Sequence, residues 1–213
     1  MSNIRDLWYD WLGVNTWLFK KINELSDLPV YSSLMKFITV FGDKKLLPYM
    51  VAMIAVVFIV SFIVRVFTKK GGNKTYLFVW VNIFLVMGVG LFVSSHTISY
   101  IKNQSAYPRP YVALPAKSII QLEFQPAEDA NHSFPSGHVA IITILVMALW
   151  PVLSENFRWG GILLIFGVAW SRMALGVHFP MDVLSGFFIT FIEIKIIGFI
   201  IYRITGLIFR TRC

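Results

Sequence analysis

Three stretches of the chain hold residue types suited to acid–base and nucleophilic chemistry. They are KNQSAYPRP, with Lys102 and Arg109 seven positions apart; PSGH, Pro135 to His138; and SRMALGVHFPMD, with Ser171, Arg172, His178 and Asp182. Lys102, Arg109 and Arg172 are cations without evident acidic partners, and gathered in one place they would repel each other. An anion with several oxygens relieves that repulsion, and the planar fork of arginine matches phosphate. Ser136 and Gly137 stand where an apolar run begins, the expected start of a helix. Backbone N–H groups and the positive end of the helix dipole there favour an anion. Glycine allows close backbone approach, and Pro135 stiffens the entry.

The histidines complete the chemistry. Pro180 suits the first turn of a helix, which puts Asp182 near that helix's start and one turn beyond His178. A carboxylate there holds one imidazole nitrogen and leaves the other as a nucleophile or base. His138, on a different element, is placed to protonate a departing alkoxide. Together these residues point to hydrolysis of a phosphomonoester or pyrophosphate through a phosphohistidine. There is no carboxylate cluster for a metal, and neither metal nor cofactor is expected. Taken alone, Arg172 reads as a snorkelling interface anchor, His178 as a packed, hydrogen-bonded residue and Asp182 as a helix cap. His96 reads as a structural hydrogen-bonding residue, and His132 and the loop acids Glu123, Glu128 and Asp129 as a solvated face.

Elements that could bring the three stretches together follow from hydropathy. The chain has 213 residues, 57% of them hydrophobic and 14% charged, with mean hydropathy +0.69. A soluble domain has about a quarter charged residues. Apolar windows near the length of a membrane span run over 46–67, 76–101, 138–153, 159–177 and 181–209. The expected fold is an all-α, polytopic membrane helical bundle: five spans plus an N-terminal membrane-associated helical segment, a candidate sixth over 22–42. It forms one domain over 1–213, with residues 1–45 interfacial and a helical core over 46–213 that includes the polar loop 102–137. Trp8, Trp11, Leu12 and Trp17 mark the N-terminal segment as an interfacial helix and not a cleaved leader.

Alternating spans put Arg65, Lys69, Lys70, Lys74, Arg158, Arg210 and Arg212 on one side, the cytoplasmic one. Loop 102–137 and the break at 177–181 then share the outer face, so all three stretches can converge. Lys20, Lys21, Lys36, Lys44 and Lys45 also fall outside if no span precedes Leu46. The net charge of +8 fits helix-end lysines and arginines, and no basic run alternates with aromatics as a nucleic-acid groove would. The single cysteine, Cys213, excludes an internal disulfide.

Lys102-x6-Arg109-Pro110, Pro135-Ser136-Gly137-His138 and Ser171-Arg172-x5-His178-x3-Asp182 resemble the three signature motifs of the type 2 phosphatidic acid phosphatases, in order and at every defined position. That superfamily also includes vanadium-dependent haloperoxidases and glucose-6-phosphatase. The resemblance covers roughly 102–182 and only loosely the first 45 residues. It implies that His178 is the nucleophile, Asp182 its orienting partner and His138 the general acid. It also implies that Lys102, Arg109, Ser136, Gly137 and Arg172 bind the phosphate, without a metal. The bacterial membrane members act on lipid phosphates from the outer face of the inner membrane, usually with six spanning helices. The expected substrate is an anionic lipid such as phosphatidylglycerophosphate, phosphatidate, undecaprenyl pyrophosphate or a lipid A phosphate. No nucleic acid is involved, and nothing points to a particular protein partner. The same residues would serve a phosphotransferase acting between lipids. A non-catalytic lipid-binding protein would have no use for His178, Asp182 and His138 together.

Overall fold

The computed structural model describes residues 8–123 and 129–209, and all regular structure among them is helical. Glu128, Arg210, Arg212 and Cys213 lie outside the described residues. Seven helices of more than ten residues follow in chain order: α1 Val14–Glu24, α2 Pro29–Thr39, α3 Leu47–Phe67, α4 Asn73–Ser105, α5 Gly137–Leu149, α6 Glu155–Ala174 and α7 Pro180–Phe209. Helices α3, α4 and α7 are long and apolar enough to cross a membrane. This is an integral membrane helical bundle.

Three expected elements differ. The stretch 22–42 is not one span: it breaks at Leu28, which is extended (ψ 118°), ahead of Pro29. Proline disfavours a helical conformation in the residue before it, and each 11-residue helix on either side rises only about 16 Å. The expected third span, 138–153, is the 13-residue α5, about 20 Å long against a hydrocarbon core of about 30 Å. It is apolar on every side, and Val139 to Val146 and Ala148 are buried. A helix with that pattern belongs in a core, and α4, α6 and α7 surround it. The expected fourth span, 159–177, is the 20-residue α6, which is not among the helices apolar enough to cross a membrane: Glu155, Asn156, Arg158 and Arg172 interrupt its apolar residues.

Helix α7 packs along α4 and α5, and the N-terminal helices α1 and α2 lie against α6. Helix α3 stands at the edge with Ile54 its one buried residue, and Phe58 is in ring contact with Tyr76, Trp80 and Phe84 of α4. Val56, Ile59, Ile63 and Phe67 face outward, as lipid contact requires. The polar residues of α1 act as pins. Asn23 bonds both the N–H and the carbonyl of Ile120 and the carbonyl of Ala174. Asn15 accepts the Met181 N–H at 2.9 Å. The N-terminal segment therefore ties the loop after α4 to the α6–α7 break.

Candidate active site

Helix α6 ends in a reversal at Gly176, whose φ of +80° suits glycine. A Cβ there would lie 2.6 Å from the Ile120 carbonyl oxygen. The chain then doubles back so that the Val177 and His178 N–H groups donate to the Arg172 carbonyl at 3.2 and 3.3 Å. This presents His178 inward, 2% exposed. Its Nδ1 lies 3.3 Å from Asp182 Oδ2, and its Nε2 lies 3.5 Å from Arg109 Nη1. An ionised carboxylate only accepts hydrogen bonds, so Nδ1 carries the proton and Nε2 the lone pair. Burial, reinforced by the charges of Arg109 and Arg172, pushes the imidazole well below its ordinary pKa. The depressed pKa favours the neutral form of His178.

Besides His178, three donors hold Asp182: Tyr9 O–H to Oδ1 at 2.6 Å, Ser133 O–H to Oδ2 at 2.5 Å and the Phe179 N–H to Oδ2 at 2.8 Å. The last of these caps the start of α7, so the aspartate is both a helix cap and a partner of His178. Burial and the charge of Asp182 push the Tyr9 pKa up, so its phenol stays a donor. Its ring stacks on Tyr107 with centroids 4.0 Å apart and meets Phe134 and Phe179 edge-on.

The three cations reach the same space. Arg109 follows the close of α4 at Ala106, and its Nε and Nη1 donate to the carbonyls of Asp129 and Val177. Lys102 Nζ donates to the His132 carbonyl at 2.6 Å. Arg172, 1% exposed, donates to Thr39 Oγ1 at 2.8 Å. Contrary to the reading that no acid pairs with these cations, its guanidinium meets Glu123 through two bonds of 2.7 and 3.1 Å. A buried guanidinium needs such a counter-charge, so Glu123 is not a solvated loop acid.

In the PSGH stretch the cis Phe134–Pro135 bond leads into α5, with Ser136 at its N-cap. The Ser136 N–H is not directed at the cavity. It donates to the Asp182 carbonyl at 2.9 Å and locks the second motif to the third. Among the described residues its hydroxyl has no partner, and Ser136, fully buried, is not among the residues that line the cavity. Gly186 of α7 makes this contact possible: a Cβ there would meet the Ser136 carbonyl oxygen at 2.6 Å.

Gly137, His138, Lys102, Arg109, Arg172 and His178 all line one open cavity of about 910 Å³. Its other walls include the apolar Leu47, Leu91, Ile98 and Ile144. His96 bonds the Phe92 carbonyl as a structural residue would. His132 does not stand apart in solvent, since it lines the cavity. Among the described residues no group of ligating side chains could hold a metal. Tyr9, Ser133, Glu123 and Thr39 contribute contacts that the motif spacing did not reveal. Of these, only Ser133 had a signal, its place two positions before Pro135 of PSGH.

A helical bundle with an oriented, neutral histidine in a cationic cavity walled partly by apolar residues defines a class of protein, the membrane lipid phosphatases. The model of the PAP2 superfamily matches residues 84–205, more than half of the chain, and the chain belongs to that superfamily. It is similar to undecaprenyl-diphosphatase BcrC of Bacillus subtilis, with 27% identity over 198 residues, 92% of this chain and 86% of that one. Its fold resembles that of Aquifex aeolicus LpxE (TM-score 0.61, 22% identity, 86% of this chain and 94% of that one). It also resembles the transmembrane PAP2 type phosphatidylglycerolphosphate phosphatase of Bacillus subtilis (TM-score 0.60, 20% identity, 89% and 87%).

Proposed function

We propose that the protein hydrolyses the terminal phosphate of an anionic membrane lipid through a phosphohistidine on His178, at the outer face of a bacterial cytoplasmic membrane. The candidates are phosphatidylglycerophosphate, phosphatidate, undecaprenyl pyrophosphate and lipid A phosphates. The observation that carries the reading is the His178–Asp182 pair, with Nε2 turned toward Arg109 in a cavity that continues into apolar walls.

Phosphate oxygens are received by Lys102, Arg109 and Arg172 and by the Gly137 N–H at the start of α5. His178 Nε2 attacks phosphorus. The N–P bond forms, the P–O bond to the lipid breaks, and its electron pair stays on the lipid oxygen, which His138 protonates. Burial and the charges of Arg172, Arg109 and Lys102 push this imidazole down to about 2. The bound phosphate offsets those cations, so that His138 takes up the proton it then donates. Water, deprotonated by His138, then attacks the phosphohistidine, releases orthophosphate and restores the imidazole. The cationic cradle stabilises the charge that builds on the equatorial oxygens.

Sidedness is supported by α4. Lys74, in its first turn, and Lys102, in its last, are about 42 Å apart along the axis. The lysine-rich turn at 68–74 thus lies at the end remote from the site, as expected if that end is cytoplasmic. The test is phosphate release from these lipids by purified protein with chelator present. Wild type is expected to be active and His178→Ala to retain less than a few per cent of its rate; substantial activity in that variant would exclude His178 as nucleophile.

A further inference from the structure

We propose that Lys44 and Lys45 form a second anion subsite that holds the phosphate remaining on the lipid, so that the cavity is built for a lipid diphosphate. This rests on the phosphatase reading above. Both lysines lie outside the three motif stretches, in the connection between α2 and α3, and both line the cavity that holds His178. The connection belongs to the site wall. Thr39, at its start, accepts a hydrogen bond from Arg172. Gly42 lies against the first turn of α5, where a Cβ would come within 2.8 Å of the His138 carbonyl oxygen and 2.9 Å of its Cβ. The turn that carries the lysines is ordered by Asp43, whose Oδ1 accepts the Lys45 N–H at 2.8 Å and whose carbonyl accepts the N–H groups of Leu46 and Leu47.

Position and direction select the ligand. Glu123 already balances the charge of Arg172, so the transferred phosphoryl group, bonded by all three cations, draws its counter-charge from Lys102 and Arg109. Among the described residues Lys44 and Lys45 are in no ion pair. Asp43 is the nearby acid, and its Oδ1 is taken by backbone. Lys44, Lys45, Lys102 and Arg109 share the cavity with the carboxylates of Asp43 and Asp129, so net charge alone is met by one phosphate of about two negative charges. It is the place of the two lysines beside His138 that points to a second phosphate. In-line attack from the buried His178 places the leaving oxygen opposite it, toward His138, and Gly42 sets the lysines beside His138. When the leaving group is itself a phosphate, cations stabilise it more effectively than a proton does. The N–P bond to the terminal phosphorus forms, the bridging P–O bond breaks, and the electron pair leaves on the lipid monophosphate, held by Lys44 and Lys45. Water then releases orthophosphate from His178. Leu47 follows directly on the same wall and begins the apolar part of the cavity.

The experiment compares kcat/KM for an isoprenyl diphosphate and for phosphatidate in the same detergent, using wild type, the double variant Lys44→Ala/Lys45→Ala, the charge-keeping Lys44→Arg/Lys45→Arg, and Lys74→Ala as a remote control. The alanine pair is expected to lower the diphosphate-to-phosphatidate ratio about 10- to 100-fold, the size expected for lost charge-assisted contacts. The arginine pair should restore most of the ratio, and Lys74→Ala should keep it. An unchanged ratio, whether both rates fall together or neither falls, overturns the subsite while leaving the phosphatase reading intact. Wild type that releases phosphate from neither lipid overturns the phosphatase reading itself.

Discussion

Replacing Tyr9 with phenylalanine removes a single hydroxyl, and the structure fixes what that should do. The lost group donates to Asp182 Oδ1 at 2.6 Å, in a pocket where Tyr9 is 8% exposed and Asp182 is buried. A hydrogen bond to a charged group contributes about 1.5–3 kcal/mol. The ring remains against Tyr107, Phe134 and Phe179, so packing is retained. At about 2–4 °C per kcal/mol for a chain of this size, the thermal midpoint should fall by roughly 3–12 °C. Asp182 keeps Ser133 and the Phe179 N–H on Oδ2, the oxygen that faces His178. The catalytic cost should therefore be near about 10-fold in kcat, the lower end for loss of a supporting partner, with KM little changed. Tyr9→Ala also removes the ring and should cost about 3–5 kcal/mol in total. The assay is thermal unfolding in detergent alongside steady-state kinetics for Tyr9→Phe, Asp182→Asn and the double variant. If the hydroxyl acts through Asp182, the two losses will not add. A Tyr9→Phe protein with wild-type midpoint and wild-type kcat would refute the reasoning.

Other outcomes follow from single contacts. Gly186→Ala sets a methyl 2.6 Å from the Ser136 carbonyl oxygen, so it should lower the midpoint and abolish most activity, whereas Gly88→Ala, with open space around it, should behave as wild type in both assays. Glu123→Ala strips the counter-charge from a buried guanidinium, so its midpoint should fall, and the Glu123→Ala/Arg172→Ala pair should be no less stable than Arg172→Ala alone, as unfolding in detergent will show. The pKa of His178 is depressed by burial and by Arg109 and Arg172. The folded state therefore favours the neutral form, and stability present above the unfolded value of about 6.5 is lost as pH falls below it. Midpoints measured from pH 7.5 to pH 5 should fall less steeply for His178→Asn than for wild type.

The convergence of His178, Asp182, Lys102 and Arg109 was legible because these residues sit at helix ends with fixed local spacing. His178 and Asp182 are one helical turn apart, and Lys102 and Arg109 flank the end of α4. Local spacing could not show which donors are spent on the protein itself. The Ser136 N–H looked free for phosphate, yet it bonds the Asp182 carbonyl, a contact between residues 46 positions apart. Tyr9 and Glu123 were invisible for the same reason: a tyrosine in an aromatic-rich segment and an acid in a polar loop gain meaning only from distant partners. Among the helices, hydropathy located α3, α4 and α7 well. It read α5 as a span because a short helix buried in protein and one buried in lipid have the same apolar composition. The candidate span at 22–42 failed at Leu28–Pro29, where backbone stereochemistry outweighs hydropathy.

The central claim is that a phosphoryl group passes through His178 Nε2. Its most direct test is rapid acid-free quenching of the protein during turnover of a lipid labelled with ³²P in its terminal phosphate, followed by peptide mapping. The account predicts a base-stable, acid-labile label on the peptide that carries His178 in wild type and none in His178→Ala. A wild-type protein that turns over substrate without labelling, or a label that persists in His178→Ala, would contradict it.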